Sequence, residues 1–226
     1  MVHRSAYSFA ILSAPIIFGK LVKVQSDGAP YAIFSYTALV PWAYFSNTLI
    51  ETTSSLTQNS SMLTRTYFPR VIMPLSSVFG KLVDFAIAMV LVVGLMVWYE
   101  TVPTIWIVML PLLVCLMALA AGGLGIWFAA MAVQYRDIKY GLAFAVQGLM
   151  FASPVVYPVS LIPERYHLLY AINPMTGVIE GFRAALLGTS SMPWDLVGVG
   201  AVSAMFIAVA GLLYFHRMER IFADVV

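Results

Sequence analysis

The chain has 226 residues, of which 62% are hydrophobic and only 10% charged, and its formal net charge is +2. A soluble domain has about 25% charged residues, so this composition, with a mean hydropathy of +0.91, excludes an ordinary water-soluble globule. The small net charge excludes a strong nucleic-acid footprint, and the single Cys115 excludes an internal disulfide.

Charge-free runs say where such a chain lives. Thr101 to Tyr135 is thirty-five residues without a charged side chain, and similar runs cover Gly28 to Ile50, Tyr140 to Pro163 and Leu196 to His216, with a shorter one at Phe85 to Tyr99. Crossing the hydrocarbon of a bilayer takes roughly 20 apolar residues. No polar stretch is long enough to fold as a separate soluble unit, so residues 1–226 are expected to form a single transmembrane domain. Period-two alternation is missing, which argues against a β-barrel. The expected fold is therefore an all-α integral membrane protein with six transmembrane helices.

The first helix is expected at residues 5–22, after Met1 to Arg4. Its start resembles a signal peptide, but Pro15 and Lys20 fit the end of a membrane helix better than a cleavage site. The second is expected at 32–50, rich in aromatics: Tyr31, Phe34, Tyr36, Trp42, Tyr44 and Phe45. A connector at 51–74 follows, ETTSSLTQNSSMLTRTYFPRVIMP, polar at first and amphipathic around Met62, Leu63, Tyr67 and Phe68, with Arg65 and Arg70 among the apolar groups. Such a segment lies along a membrane or docks on a soluble partner; its default reading is a solvated loop.

The third helix is expected at 77–99, with Lys81 and Asp84 spaced to pair at its cytoplasmic end. The fourth, at 104–133, carries Ala118, Ala120, Ala121, Gly122, Gly123 and Gly125. Small residues let membrane helices approach closely, so this face predicts a helix–helix contact. Cys115, in the same helix, reads as a buried small apolar residue. The fifth helix is expected at 139–158, bearing Phe151 and Tyr157.

Next comes the outer segment from Ser153 to Gly188, where Pro154, Pro158, Pro163 and Pro174 interrupt helix in a still apolar stretch. Irregular backbone at membrane depth survives only beside protein or a watery cavity, so residues 158–190 predict re-entrant helices lining a passage. Glu180 and Arg183, at i, i+3, are placed to pair there. The sixth helix is expected at 195–215. Arg4, Arg65, Lys81, Arg70, Arg136, Lys139, Arg217 and Arg220 fall on one side, against Lys20, Lys23, Arg165 and Arg183 on the other. The richer side is cytoplasmic by the positive-inside rule, which puts both termini there.

Catalytic signatures are missing. The sequence has no GxxxxGK[ST], HExxH or GxSxG motif, and His3, His167 and His216 are scattered. The chain is thus expected to bind no cofactor and to act as no enzyme. Mid-span carboxylates are scarce, which argues against a proton relay, so energy for transport has to come from a partner. Aromatic faces suit the mixed C–H and O–H faces of a sugar ring, which makes Trp42, Tyr44, Phe45, Phe151 and Tyr157 candidates for a translocation path; interfacial belts are the ordinary use of such residues.

Five fragments in fixed order, PWAYFSNTL (41–49), NSSMLTRTYFPRVIMPLSSV (59–78), VQYRDIKY (133–140), SPVVYP (153–158) and NPMTGVIEGFRAALLG (173–188), resemble the membrane subunit of bacterial ABC-2 type polysaccharide exporters of O-antigen, capsule or teichoic acid. That resemblance spans roughly residues 15–215. It implies an inner-membrane permease, two copies of which join two copies of an ATP-binding subunit that holds ATP and Mg. It implies a coupling element around Arg65, Tyr67, Phe68, Pro69 and Arg70, with the turn at Arg136 and Asp137 beside it. It implies an exit gate of paired re-entrant helices holding Asn173, Pro174, Glu180 and Arg183, and a lipid-linked polysaccharide as cargo. The amphipathic helix with which family members begin is expected to be missing, since only Met1 to Arg4 precede the first helix. Alternative cargoes are a drug or a lipid; an intramembrane acyl- or glycosyltransferase would need a cluster of acid, base or metal ligands that the sequence does not offer.

Overall fold

In the computed structural model, residues 29–58, 69–135, 137–189 and 191–219 are described. The first expected helix, 5–22, lies outside them. Every regular element among the described residues is helical, as the charge-free runs predict. The long helices are α1 (Tyr31–Gln58), α2 (Ile72–Trp98), α3 (Leu110–Gln134) and α4 (Ile138–Phe151). After them come α5 (His167–Ala171), α6 (Pro174–Leu186) and α7 (Trp194–Glu219). Short 3-10 turns cover Ile105–Met109, Val159–Leu161 and Glu164–Tyr166.

Three of the described helical stretches are long and apolar enough to cross a membrane: Ile72–Trp98, Ile105–Gln134 and Trp194–Met218. The expected second helix is present, but its last two turns are the polar run that the sequence suggested was loop. Glu51 to Gln58 continue α1 for two more turns, so the connector drawn at 51–74 begins later and ends where α2 starts at Ile72. The hydroxyls make this possible. Thr53 Oγ1 donates to the Leu49 carbonyl at 2.7 Å, Ser54 Oγ to Ile50 at 3.0 Å and Ser55 Oγ to Thr52 at 2.7 Å. Back-bonding to the preceding turn lets Ser and Thr stay helical and buried. Pro41 is also accommodated inside α1, as membrane helices allow when neighbours cover the freed carbonyl.

The fifth expected helix is shorter than 139–158. It runs for 14 residues from Ile138 and stops at Phe151, because a residue before proline is disfavoured in helix and Pro154 and Pro158 follow closely. A 14-residue helix is about 21 Å long at 1.5 Å per residue, short for a hydrocarbon layer of about 30 Å. At the far end of α2 the chain turns sharply. Glu100 takes φ 53°, and the Glu100 and Thr101 amides donate back to Val97 and Met96, a C-terminal motif that normally selects glycine.

Packing centres on α3, which lies between α1 and α7, while α2 covers the outside of α1. The small-residue face does what the sequence predicted. A Cβ on Gly123 would meet Ala208 Cα at 2.7 Å, and one on Gly125 would meet the Thr52 side chain at 2.7 Å. Cys115 corrects its expectation: it is exposed, since the buried face of α3 runs through Leu113, Leu116, Met117 and Ala120. The thirteen residues of α6 are all buried, enclosed by α1, α3 and α7.

Candidate functional site

The sequence pointed to two regions, one on each side of the bundle. The one expected on the outer side is built on α6. Asn173 caps that helix: its side-chain oxygen accepts from the Met175 amide at 3.1 Å, and Pro174 follows at the first helical position, where no N–H is missed. Asn173 Nδ2 also donates to Ser153 Oγ at 2.7 Å, so the cap ties α6 to the end of α4.

Arg183 is the centre of this region and is 0% exposed. Its Nη1 donates to Glu180 Oε1 at 2.7 Å, to the Pro154 carbonyl at 2.8 Å and to the Tyr157 carbonyl at 3.3 Å. Nη2 donates to the Val155 carbonyl at 2.9 Å. The guanidinium carbon lies 3.7 Å from the centre of the Phe34 ring on α1. The chemistry explains the geometry. Where α4 breaks, carbonyls 154, 155 and 157 lose the helical ladder, and unpaired carbonyls are costly away from water. A planar fork with five N–H donors can serve several of them at once. The guanidinium therefore takes the place of the helical bonds that the prolines remove.

Other bonds hold the same turn. Tyr157 Oη donates to the Phe151 carbonyl at 2.9 Å and lies 3.3 Å from Tyr170 Oη on α5. Tyr31 Oη donates to the Val156 carbonyl at 3.4 Å. At the other end of α6, Thr104 donates its amide to Ala185 at 3.0 Å and its hydroxyl to Ala184 at 3.1 Å. The expected pair of re-entrant helices is thus one five-residue helix, α5, and one fully enclosed helix, α6.

The sequence singled out Asn173, Pro174, Glu180 and Arg183 in this region and noted Phe34 only as one aromatic of the second helix; Ser153 and Thr104 were not singled out. The fragment SPVVYP was visible as a helix break; that one side chain gathers its carbonyls required the fold.

The aromatic candidates divide. Trp42, Tyr44 and Phe45 are buried. Trp42 packs on Phe45 with ring centres 5.4 Å apart, and Tyr44 packs on Phe85 at 5.8 Å. Tyr44 Oη also donates to the Val78 carbonyl at 3.1 Å. Phe151 is 72% exposed, and Tyr157 is half-buried. The structure does not bring these five side chains to one surface.

Of the region expected on the inner side, Arg65, Tyr67, Phe68 and Arg136 lie outside the described residues. Pro69 is exposed, with its carbonyl accepting from the Ile72 amide at 3.0 Å, and Arg70 is half-buried. Asp137 is exposed and its carbonyl receives the Tyr140 and Gly141 amides. Lys81 pairs with Asp84 at 3.1 Å, as its spacing predicted, and more closely with Glu51 at 2.8 Å. Glu51 was hidden in the supposed loop. Among the described residues no group of three or more His, Cys, Asp or Glu could hold a metal ion.

The model of the family described as ABC-2 type transporter matches residues 6–187. The chain belongs to that family. An ABC-2 permease is the membrane component of a transporter, not an enzyme, and nucleotide binding lies in a separate subunit. This ABC-2 chain is a multi-pass membrane protein. It is similar to the O-antigen export system permease protein RfbA of Klebsiella pneumoniae, 23% identical over 210 residues, 92% of this chain and 80% of the relative. The Myxococcus xanthus protein of the same name is 27% identical over 209 residues, 91% and 79% of the two chains. The polysialic acid transport protein KpsM of Escherichia coli is 22% identical over 231 residues, 96% and 87% of the two chains.

Proposed function

We propose that this chain is the permease subunit of an ATP-driven exporter that carries a lipid-linked, O-antigen-like polysaccharide across the bacterial inner membrane. The observation that carries the reading is similarity along nearly the whole chain to two proteins named O-antigen export system permease and one named polysialic acid transport protein. Two copies of the chain join two ATP-binding subunits. Each copy spans the bilayer six times with both termini in the cytoplasm. Three of these spans are the long apolar stretches Ile72–Trp98, Ile105–Gln134 and Trp194–Met218; in this reading α1 and α4 are two more, and the sixth falls at 5–22, outside the described residues.

ATP binding in the partner moves the coupling element at Arg65 to Arg70, with Arg136 and Asp137 beside it. That motion separates the two protomers and opens a passage. A partner shifts such an equilibrium only by binding one state more tightly than the other. The outer turn held by Asn173, Pro174, Glu180 and Arg183 forms the exit gate. Phe151 and Tyr157 offer ring faces to the polymer, while Trp42, Tyr44 and Phe45 shape the wall from within the packing.

The test is Arg70→Glu in the assembled transporter. Charge reversal is expected to leave the protein in the membrane and to abolish export, with ATP hydrolysis no longer responsive to glycan. Export at the unmodified level would remove the docking assignment.

A further inference from the structure

The short helix α5 packs on the side of α7, close to where α7 begins. Ala171 is buried in a small cluster with Val159 and Leu196, and Val199 packs against it. Leu196 and Val199 stand two and five residues after Trp194, the first residue of α7, or about 3 and 7.5 Å along it at 1.5 Å per residue. The start of α6 lies at a similar level: a Cβ on Gly200 would meet the Pro174 backbone at 3.3 Å. Trp194–Met218 is one of the stretches long and apolar enough to cross a membrane, so its first turns stand where headgroups give way to acyl chains. Tryptophans mark the same level. Trp194 meets Trp106 edge to face, with ring centres 5.6 Å apart, and Trp98 is exposed at the end of α2, eight residues before Trp106. Tryptophan is enriched at such boundaries.

One face of α5 is uncovered. Leu168, Leu169 and Ile172 are 64%, 62% and 58% exposed, and Leu161 is exposed as well. Apolar surface is costly in water in proportion to its area, and large side chains exposed together mark an interaction surface. The polar groups of α5 are bonded within the protein. His167 Nε2 lies 2.9 Å from the Ile162 carbonyl, and Tyr170 Oη lies 3.3 Å from Tyr157 Oη. Just before the helix, Arg165 and Tyr166 are exposed, with the guanidinium carbon 4.7 Å from the ring centre. A cation and an aromatic ring followed by an apolar face is the order of groups met on passing from headgroups to acyl chains.

Acyl chains are the occupant that fits this face. Further along α7, Val202, Met205, Phe206 and Val209 are exposed, and a spanning helix meets lipid with such an arc. The leucines of α5 continue that apolar surface towards the headgroups.

We propose that α5 is an interfacial anchor. Leu168, Leu169 and Ile172 insert among the acyl chains of the leaflet at the Trp194 end of α7, while Arg165 and Tyr166 stay among its headgroups. Helices of this kind bury their apolar face about 5–10 Å into the boundary between headgroups and chains, an interval that overlaps the position of Ala171 along α7. Through Tyr170 and Asn173 the anchored segment holds the turn that Arg183 gathers. The proposal rests on α7 crossing the membrane, and not on the cargo or on which end faces out.

The test uses a Cys115→Ser chain carrying one nitroxide spin label at Leu169→Cys, Ile172→Cys, Arg165→Cys or Val202→Cys, assembled with its ATP-binding partner in phosphatidylethanolamine–phosphatidylglycerol vesicles. Oxygen concentrates in hydrocarbon and a nickel chelate stays in water, so the two report which medium a label meets. At Leu169→Cys and Ile172→Cys, collision with oxygen is expected to approach that at Val202→Cys, and collision with the chelate to fall severalfold below that at Arg165→Cys. Chelate collision equal to that at Arg165→Cys would overturn the anchor by showing a helix in water. Weak collision with both reagents would overturn it as well, by showing cover by protein, and spin–spin broadening would identify that protein as a second copy. Leu168→Ser with Leu169→Ser is expected to raise chelate collision at Ile172→Cys severalfold. No rise would remove the role given to these two side chains.

Discussion

Replacing Arg183 with methionine strips the outer turn of its main donor. Four hydrogen bonds go: one to Glu180 and three to the carbonyls of Pro154, Val155 and Tyr157. Glu180, itself buried, loses its bond from the guanidinium, and removing one partner of a buried ion pair costs about 3–5 kcal/mol. The carbonyls add about 1–3 kcal/mol for each one that finds no new donor, although water entering the turn offsets part of that. A total of about 5 kcal/mol is expected. The assay is reversible unfolding of the purified protein in mixed micelles, followed by helicity as SDS is titrated. Glu180→Gln combined with Arg183→Met is expected to be less harmful than Arg183→Met alone, because no buried carboxylate then loses its guanidinium. Arg183→Lys keeps the charge but lacks the planar fork, so it falls between wild type and methionine. Stability within about 1 kcal/mol of wild type for Arg183→Met, below the cost of one stranded buried charge, would refute the idea that this side chain replaces the broken ladder of α4.

Three other outcomes follow from the same packing. Asn173→Ala loses both the cap on Met175 and the bond to Ser153, and is expected to cost about 1–2 kcal/mol in the same titration. Gly123→Val sets a branched side chain against the Ala208 backbone, where a bare Cβ already comes to 2.7 Å; size-exclusion profiles of the expressed protein are expected to show loss of the monodisperse peak, whereas Gly94→Ala, with open space around it, leaves the profile intact. Lys81→Met removes the shared partner of Glu51 and Asp84, both largely exposed, so it is expected to cost no more than about 1 kcal/mol, with the Lys81–Glu51 coupling read from a double-mutant cycle with Glu51→Gln.

Much of the fold was legible because apolar length is a strong signal. The stretches at 72–98, 105–134 and 194–219 stand within a few residues of their sequence expectation. Errors gathered where local chemistry and tertiary packing disagree. Glu51 to Gln58 look like loop because Ser and Thr compete with helix, and only burial with back-bonding reverses that preference. The end of α4 was misplaced because an apolar run continues past the point where prolines stop the helix. At the outer turn the i, i+3 pair of Glu180 and Arg183 was readable from spacing, but its carbonyl partners 26 to 29 positions away were not. Trp42, Tyr44 and Phe45 were picked by type; composition cannot say which way a ring faces, and they are buried.

The measurement that bears most directly on the account is glycan transport by the reconstituted complex. The chain and its ATP-binding partner are placed in proteoliposomes with a lipid-linked O-antigen-type glycan on the ATP side, and a lectin on the far side reports crossing. ATP hydrolysis that rises with glycan, and lectin signal that appears only with ATP, are the predicted results. Hydrolysis indifferent to glycan, with no lectin signal from a complex that moves a drug or a simple lipid instead, would contradict it.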